Sequence, residues 1–278
     1  MFSLILYACN DLHEIKKGMS SVMNFVKNSG IKDVFVLDNA SDDATVHYLS
    51  RYYPKLRCEV LEKKQPLAFC LNYAIPRARQ PYVIYLEFGF HDIKLNLDHL
   101  QRDLKDPAVF GMGLNEKTMS DDELFFYRGQ FKGGVFQLKS EKLISDKQQL
   151  VHFWSRAFCL KRDVFTMLGA CSELFPSQST LFDLAYRVQK REFCILFDAS
   201  QSLFYFEGMT RNLRFPSPLN FLFFWAYNCS LWRWILHVLL LLLSWIFFII
   251  PLQRASARAL FNFFKVRHYR RHFLLKIY

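Results

Sequence analysis

The stretch Val34–Thr45, VFVLDNASDDAT, constrains the fold more than any other part of the chain. Four apolar residues run into an Asp-Asn pair, which is the pattern of a buried strand that ends in a polar turn. Ser41 is a favoured N-cap residue, and the two Asp after it are expected in the first turn of a helix, where acidic side chains are favoured. Asp38 and Asn39 are therefore predicted at the carboxyl end of a strand, where open α/β sheets bind ligands.

Strand-like and helix-like segments alternate along the first half of the chain. The alternation predicts an α/β fold with a mostly parallel sheet and helices on both faces. The predicted strands are 2–8, 34–38, 57–61, 82–87 and 108–114, and the predicted helices are 13–28, 44–53, 66–78 and 96–104. The second half is less regular, with predicted strands 133–138, 155–160 and 193–197 and predicted helices 162–168 and 180–191. We expect this single α/β domain to occupy residues 1–210.

The C-terminal part contains an apolar segment, residues 234–252, with no formally charged side chain. A helix needs about 20 apolar residues to cross a bilayer, so the segment is a candidate transmembrane or re-entrant helix. The alternative is a buried core helix. Residues 211–233 are rich in Phe and Trp and fit an interfacial helix or the first arm of a re-entrant hairpin.

The net charge of +11 is concentrated beside this apolar segment. Residues 211–278 contain ten Lys and Arg and no Asp or Glu, whereas residues 1–210 contain 26 Lys and Arg against 25 Asp and Glu. The tail 253–278 is predicted to be a basic amphipathic segment on an anionic membrane surface, the alternative being a solvated basic tail. This distribution argues against a nucleic-acid partner.

The membrane topology predicted from the sequence depends on the anchor. The positive-inside rule places the basic tail in the cytoplasm. The N-terminus has no basic region ahead of a long apolar run, so it does not resemble a signal peptide. A re-entrant or hairpin anchor with both ends in the cytoplasm fits both the basic tail and the lack of a signal peptide. We therefore expect a membrane protein whose catalytic domain is cytoplasmic.

Six segments, in order along about residues 3–208, together resemble the family 2 glycosyltransferases of the GT-A fold. They are SLILYACN, DNASDD, QPLAFCLNYAI, PYVIYLEFGF, AFCLKRDVFTMLGACSEL and STLFDLAYRVQKREFCIL. The resemblance implies a nucleotide-sugar donor, with Asp38 recognising the nucleotide base. The donor-binding residues that it implies are Asn10, Asp38, Asn39, Ser41 and Asn72.

The chain departs from the family pattern at the metal site. The position of the D-x-D motif reads Glu87-Phe88-Gly89, so one carboxylate remains at the strand end. Divalent Mn or Mg prefers oxygen ligands, and Glu87 is expected to supply one. Asp92, or alternatively His91, would supply another ligand if the loop folds back.

The chain also departs from the family pattern at the catalytic base. The Glu-Asp pair that usually opens the later helix reads Thr180-Leu181, and neither side chain can take a proton. An inverting transfer needs a base for the acceptor hydroxyl. Asp183 and Glu173 are the candidates, although Asp183 is equally consistent with a surface pair with Arg187 four residues on.

The sequence therefore predicts a membrane-anchored, inverting glycosyltransferase. Its expected partners are a nucleotide-sugar, a lipid-linked or cell-envelope glycan acceptor and the membrane. Because the metal and base motifs are eroded, an alternative is a catalytically inactive relative that serves as a binding or scaffold protein in a glycan-assembly complex. An unrelated α/β membrane-associated protein is a third hypothesis.

Overall fold

The computed structural model describes residues 1–117, 125–132, 135–142, 147–150, 156–173, 175, 179–205 and 239. Strands in these residues are β1 (Phe2–Ala8), β2 (Asp33–Asp38), β3 (Arg57–Val60), β4 (Tyr82–Glu87), β5 (Phe90–Lys94), β6 (Val109–Lys117), β7 (Phe125–Lys132), β8 (Val135–Lys142), β9 (Lys147–Leu150), β10 (Ala157–Lys161) and β11 (Cys194–Tyr205). The α-helices are α1 (Leu12–Ser29), α2 (Thr45–Tyr52), α3 (Leu67–Ala74), α4 (Leu97–Lys105), α5 (Arg162–Met167) and α6 (Ser179–Lys190). A short 3-10 helix, Ile75–Arg77, follows α3.

Nine of these strands form one sheet in the order β3-β2-β1-β4-β10-β6-β11-β5, with β9 paired to β11. β1 is parallel to β2 and to β4, and β2 is parallel to β3. β10 is antiparallel to β4 and β6, and β11 is parallel to β6 but antiparallel to β5 and β9. Most strands of this sheet therefore run in one direction, as predicted, while β7 and β8 form a separate antiparallel pair.

The sheet has a hydrophobic core on each face. One core contains buried residues of α3, α5 and α6, and the other contains buried residues of α1, α2 and α4. Successive residues of β1 alternate between them, since Ile5 lies in the first core and Leu4 and Leu6 lie in the second. Both faces of β1 are buried, which explains its continuous apolar sequence. The predicted helices on both faces are confirmed.

The strand register brings several strand ends to one edge of the sheet. Ala8 at the end of β1 pairs with Asp38 at the end of β2, and Asp38 pairs with Val60 at the end of β3. On the other side of β1, Tyr7 pairs with Glu87 at the end of β4. The loops that follow β1, β2, β3 and β4 therefore leave the sheet on the same side.

The described residues include no helix that is both long enough and apolar enough to cross a membrane. The segments predicted at 211–233, 234–252 and 253–278 lie outside the described residues, except for Leu239.

Candidate functional site

The loops after β1 and β2 are joined by hydrogen bonds between side chains and backbone. Asn10 N–H donates to Ser41 Oγ at 2.9 Å, and Asp42 N–H donates to Asn10 Oδ1 at 2.8 Å. Leu12 N–H donates to Asp43 Oδ2 at 3.1 Å, which attaches the start of α1 to the same turn. Asn10 has a φ of 61°, a left-handed conformation that Asn tolerates better than most residues. The two loops thus form one connected surface at the carboxyl edge, which we call the paired-loop edge.

Asp38 lies beneath this surface. Its side chain is 0% exposed, and its two oxygens accept hydrogen bonds from Ser41, Oδ1 from the backbone N–H at 2.9 Å and Oδ2 from the hydroxyl at 2.5 Å. The carboxylate therefore fixes the turn that follows β2 rather than facing solvent. Because it has further lone pairs, it can still accept another hydrogen bond if the turn opens.

The predicted N-cap and the predicted acidic first turn of the helix after this turn are wrong. The helix α2 begins at Thr45, its N-cap residue is Ala44, and its first turn holds no acidic residue. Ser41 does not cap it, since the Ser41 hydroxyl is hydrogen-bonded to Asp38 and Asn10. Asp43 precedes the helix and accepts from Thr45 N–H at 2.9 Å.

Asn39 joins three parts of the carboxyl edge. Its Nδ2 group donates to Tyr7 Oη at 2.8 Å and to the carbonyl of Gln65 at 2.9 Å, while its Oδ1 accepts from Gln65 N–H at 2.8 Å. Burial raises the pKa of Tyr7 well above its usual value, so the phenol stays neutral beside this amide. Asn39 is 3% exposed, and it positions the loop that leads into α3.

Asn72 joins α3 to the segment that follows α5. Its Nδ2 donates to the carbonyl of Cys171 at 2.8 Å, and Cys171 N–H donates to its Oδ1 at 2.7 Å. These two residues are 99 positions apart in the sequence. Both the nitrogen and the oxygen of the Asn72 amide, a predicted donor-binding group, are therefore hydrogen-bonded to the backbone of Cys171.

The two candidate bases lie in different environments. Asp183 is 0% exposed, and its Oδ2 accepts from Arg187 Nε at 2.8 Å. Arg187 also donates to the carbonyls of Leu168 and Ala170, so the pair attaches the end of α5 to α6. The expected pair with Arg187 is present but buried, not on the surface. A carboxylate enclosed in this way cannot reach an acceptor hydroxyl without rearrangement.

Glu173 is exposed and lies in a turn that is anchored on one side. Cys171, two residues before it, is held by Asn72, and the carbonyl of Ser172 accepts from Thr180 Oγ1 at 3.0 Å. The structure therefore presents the Glu173 carboxylate to solvent from a fixed backbone position, as a general base requires.

Glu87, at the end of β4, is ion-paired. Arg156 Nε donates to its Oε2 at 3.0 Å, and Tyr85 Oη lies 3.5 Å from its Oε1. Burial raises the pKa of Glu87 to about 7, against the lowering effect of Arg156, and the nearby charges of Glu116 and Asp11 raise it further. Burial likewise raises the pKa of Asp11 to about 6. The end of β4 is thus a cluster of carboxyls around one guanidinium.

The part of the chain that forms the paired-loop edge matches a known family. The sequence model of Glycosyl transferase family 2 matches residues 3–87, from β1 to the end of β4. The match covers less than half of the chain, so it shows a similarity of residues 3–87 to this family. No curated protein sequence matches the chain.

Solved structures resemble the chain beyond this family 2 segment. A crystal structure of GalNAc-T7 with UDP, GalNAc and Mn²⁺ has a TM-score of 0.62 at 12% identity, covering 81% of this chain and 47% of that one. The mannosyltransferase PcManGT from Pyrobaculum calidifontis, in complex with GDP-Man and Mn²⁺, has a TM-score of 0.51 at 13% identity, covering 82% and 61%. S. aureus TarS 1–349 has a TM-score of 0.52 at 15% identity, covering 83% and 66%.

These likenesses show that the chain has the GT-A fold. The chain spans less than two thirds of the length of each of these proteins. The family 2 match covers residues 3–87, and beyond those residues the likenesses show the fold alone. Two of the neighbouring structures contain Mn²⁺, one with UDP and GalNAc and the other with GDP-Man.

The predicted metal ligands do not form a metal site within the described residues. Asp92, on β5, lies 3.2 Å from Lys94 Nζ and lines a groove of about 770 Å³ with residues of α1, α4 and β11. Glu87 is paired with Arg156 and is not among the residues that line this groove. No group of three or more His, Cys, Asp or Glu that could hold a metal ion occurs in the described part of the chain. The donor set described therefore does not fit the ion.

The sequence interpretation missed Arg156. It precedes β10, which pairs antiparallel with β4, and so it lies beside the last residue of β4. The only signal was a basic residue just before an apolar strand, and 69 positions separate it from Glu87. Its relevance depends on the strand order, which the sequence pattern did not show.

Proposed function

We propose that this protein is a membrane-anchored, inverting glycosyltransferase that moves a sugar from a nucleotide-sugar donor to a lipid-linked or cell-envelope glycan acceptor. The observation that carries the proposal is the paired-loop edge. It lies at the carboxyl ends of parallel strands, inside the family 2 segment, and has the buried Asp38 at its base. Ligands bind at this edge in open α/β sheets.

In this proposal the paired-loop edge binds the nucleoside of the donor. Asn10 and Ser41 lie at its surface, and Asp38 fixes the turn that carries Ser41. Asn39 sets the neighbouring wall by holding Gln65, and Asn72 sets the distance between α3 and the turn that presents Glu173. Such fixed positions lower the cost of ordering the site when the donor binds.

The acceptor hydroxyl loses its proton to Glu173 in this proposal. Glu173 is exposed and follows an anchored backbone, whereas Asp183 is enclosed in a pair with Arg187. Inversion requires a base on the side of the sugar opposite the leaving diphosphate, and an exposed carboxylate can reach a hydroxyl there. Asp183 has a positioning role, because the end of α5 is attached through Arg187.

The membrane part of the proposal is supported by the sequence alone. Residues 234–252 are long and apolar enough to enter a bilayer, and the basic residues flank them. A membrane-bound enzyme meets a lipid-carried acceptor on the same surface, with the catalytic domain at the cytoplasmic face.

A second candidate function is a non-catalytic binding or scaffolding module in a glycan-assembly complex. The observation that favours it is that Asp183 and Glu87, two carboxylates expected to serve the reaction, are each paired with an arginine. Nucleotide binding with no transfer that depends on Glu173 would support this candidate.

Nucleotide binding to the full-length chain tests the proposal. We expect UDP or GDP to raise the melting temperature, since a ligand at about a hundred times its Kd stabilises by about 2.7 kcal/mol. Asp38→Asn keeps an oxygen for Ser41 but loses the charge, and it should weaken the binding by about tenfold. Asp42→Asn, in the same turn but exposed, is the matched control. A chain that melts at the same temperature with saturating nucleotide contradicts the proposal.

A further inference from the structure

The end of β4 has one carboxylate where the family pattern has two, and Arg156, which precedes β10, lies beside that carboxylate. Gly89 stands at the second carboxylate position and has no side chain that could bind a metal. The remaining carboxylate, Glu87, is 3.0 Å from Arg156 Nε. Arg156 is a cation that lowers the pKa of Glu87, against the raising effect of burial.

The backbone of Arg156 is held from both neighbouring strands. Its carbonyl accepts from Glu87 N–H at 2.9 Å, and its own N–H donates to Glu116 Oε1 at 2.7 Å. The same Glu116 oxygen accepts from Ala157 N–H at 3.0 Å. Glu116 is on β6 and is 8% exposed, so Arg156 has a defined position between β4 and β6.

The side chain of Arg156 extends from this fixed backbone to the open edge. It is 36% exposed, whereas Glu87 is 17% exposed. A guanidinium is planar and always charged, and it can donate two parallel hydrogen bonds to phosphate oxygens. A partly exposed guanidinium, paired on one side with Glu87, therefore lies at the edge where the donor is proposed to bind.

We propose that Arg156 contacts the diphosphate of the donor, and that it supplies there the positive charge that a divalent metal would otherwise supply. The inference rests on the proposed function, because it assumes a nucleoside diphosphate at this edge. The leaving diphosphate needs positive charge as the glycosidic bond breaks, and a preorganised cation supplies it without rearrangement. Nucleoside diphosphate binding should then be independent of added metal.

Binding of nucleoside diphosphates and of nucleosides to the full-length chain separates the contributions. UDP, GDP, uridine and guanosine would be titrated by ligand-observed NMR, each in EDTA and in MnCl₂. For the unmodified chain we expect the affinity for the diphosphate in EDTA to lie within about threefold of that in Mn²⁺. Arg156→Ala should weaken diphosphate binding by about thirtyfold, while nucleoside binding changes by less than about twofold.

Two further variants separate the loss of the Arg156 guanidinium from any effect of the substitution on folding. Arg156→Ala leaves Glu87 without its counter-charge, so the double variant Glu87→Gln/Arg156→Ala removes both charges and should show the same loss of diphosphate affinity. Arg102→Ala, an exposed arginine in α4, is the matched control and should bind as the unmodified chain does.

Glu87→Gln alone distinguishes the arginine from a metal. It removes a negative charge beside the diphosphate, so affinity in EDTA should stay the same or increase. A metal ligand at Glu87 predicts a loss instead. The inference is overturned if EDTA abolishes diphosphate binding to the unmodified chain while Arg156→Ala still binds in Mn²⁺. If neither nucleosides nor diphosphates bind the unmodified chain, the proposed function itself fails.

Discussion

At the scale of single residues, the carboxyls at the end of β4 carry the clearest consequence for pH. The pKa of Glu87 is raised from 4.5 to about 7, mainly by burial. The folded chain therefore holds this proton more tightly than the unfolded chain between those pH values. Its contribution to the free energy of unfolding is lost as the pH rises through this window and stays lost above it.

We predict that the difference in melting temperature between the unmodified chain and Glu87→Gln depends on pH. From about pH 5 to about pH 8 the unmodified chain should lose stability relative to the variant, on the order of 2 kcal/mol. Thermal melting of both chains at several pH values measures this difference. Glu62→Gln, which replaces an exposed carboxyl, should differ from the unmodified chain by the same amount at every pH. A constant difference for Glu87→Gln, or one of the opposite sign, would refute the assigned environment.

The residues of the site could be located from the sequence better than their partners could. Asp38 and Asn39 follow an apolar run, which was enough to place them at a strand end. Ser41 donates to Asp38 and does not cap a helix. This arrangement depends on the fold of the turn, where Ala40 has a φ of 52°. Arg156 and Glu116 came from distant segments, so a local pattern could not pair them with Glu87.

At the scale of elements, the paired-loop edge includes a left-handed backbone position at Asn10. Asn10, with a φ of 61°, accepts from Asp42 N–H. We predict that Asn10→Ala lowers the stability more than Asn10→Gly, by about 1 kcal/mol, because both lose the acceptor but only alanine is strained at positive φ. Thermal melting of the two variants measures the difference.

The control for Asn10 is an asparagine in a helix. Asn24 is exposed in α1, where alanine is favoured over glycine by about 1 kcal/mol. The order of the two substitutions should therefore reverse between the positions. The same order at both would show that the left-handed conformation is not important for the loop pairing.

The helix α6 and the turn before it give opposite predictions for two carboxyls. Asp183→Asn leaves Arg187 without its counter-charge in a buried place and should destabilise the chain by about 3 kcal/mol. Glu173→Gln should leave the melting temperature unchanged but lower sugar transfer from a nucleotide-sugar by about a hundredfold or more. A large loss of stability in Glu173→Gln, or transfer unchanged by it, would remove Glu173 as the base.

The elements themselves were predictable where both faces of a strand are buried. β1, β2 and β4 are buried apolar runs that alternate with helices, and they gave most of the parallel part of the sheet. The strands β5, β7 and β9 were not predicted, since their sequences, FHDIK, FFYRGQFK and KQQL, contain charged or polar residues in no clear alternation. Pairing with a neighbouring strand stabilises such segments, and a local pattern does not contain that information.

At the scale of the whole molecule, the charge is divided along the sequence. Residues 1–210 are close to neutral, whereas residues 211–278 contain ten Lys and Arg and no Asp or Glu around the apolar segment 234–252. Basic residues near an anionic membrane surface contribute about 1 kcal/mol each, and this attraction weakens with salt. Burial of an apolar helix in the bilayer does not depend on salt in this way.

We therefore predict that the full-length chain stays with membranes after washes with high salt and with alkaline carbonate. Leu240→Arg together with Leu242→Arg places two charges in the apolar segment, each costing about 2.5 to 3.5 kcal/mol at a helix centre, and should release the chain into the soluble fraction. Replacing Arg270 and Arg271 by Gln keeps the apolar segment, so that variant should remain membrane-bound but respond more weakly to anionic lipid. Immunoblotting of the fractions measures each outcome. Release of the unmodified chain by salt alone would show that the basic tail, and not the apolar segment, holds the protein at the membrane.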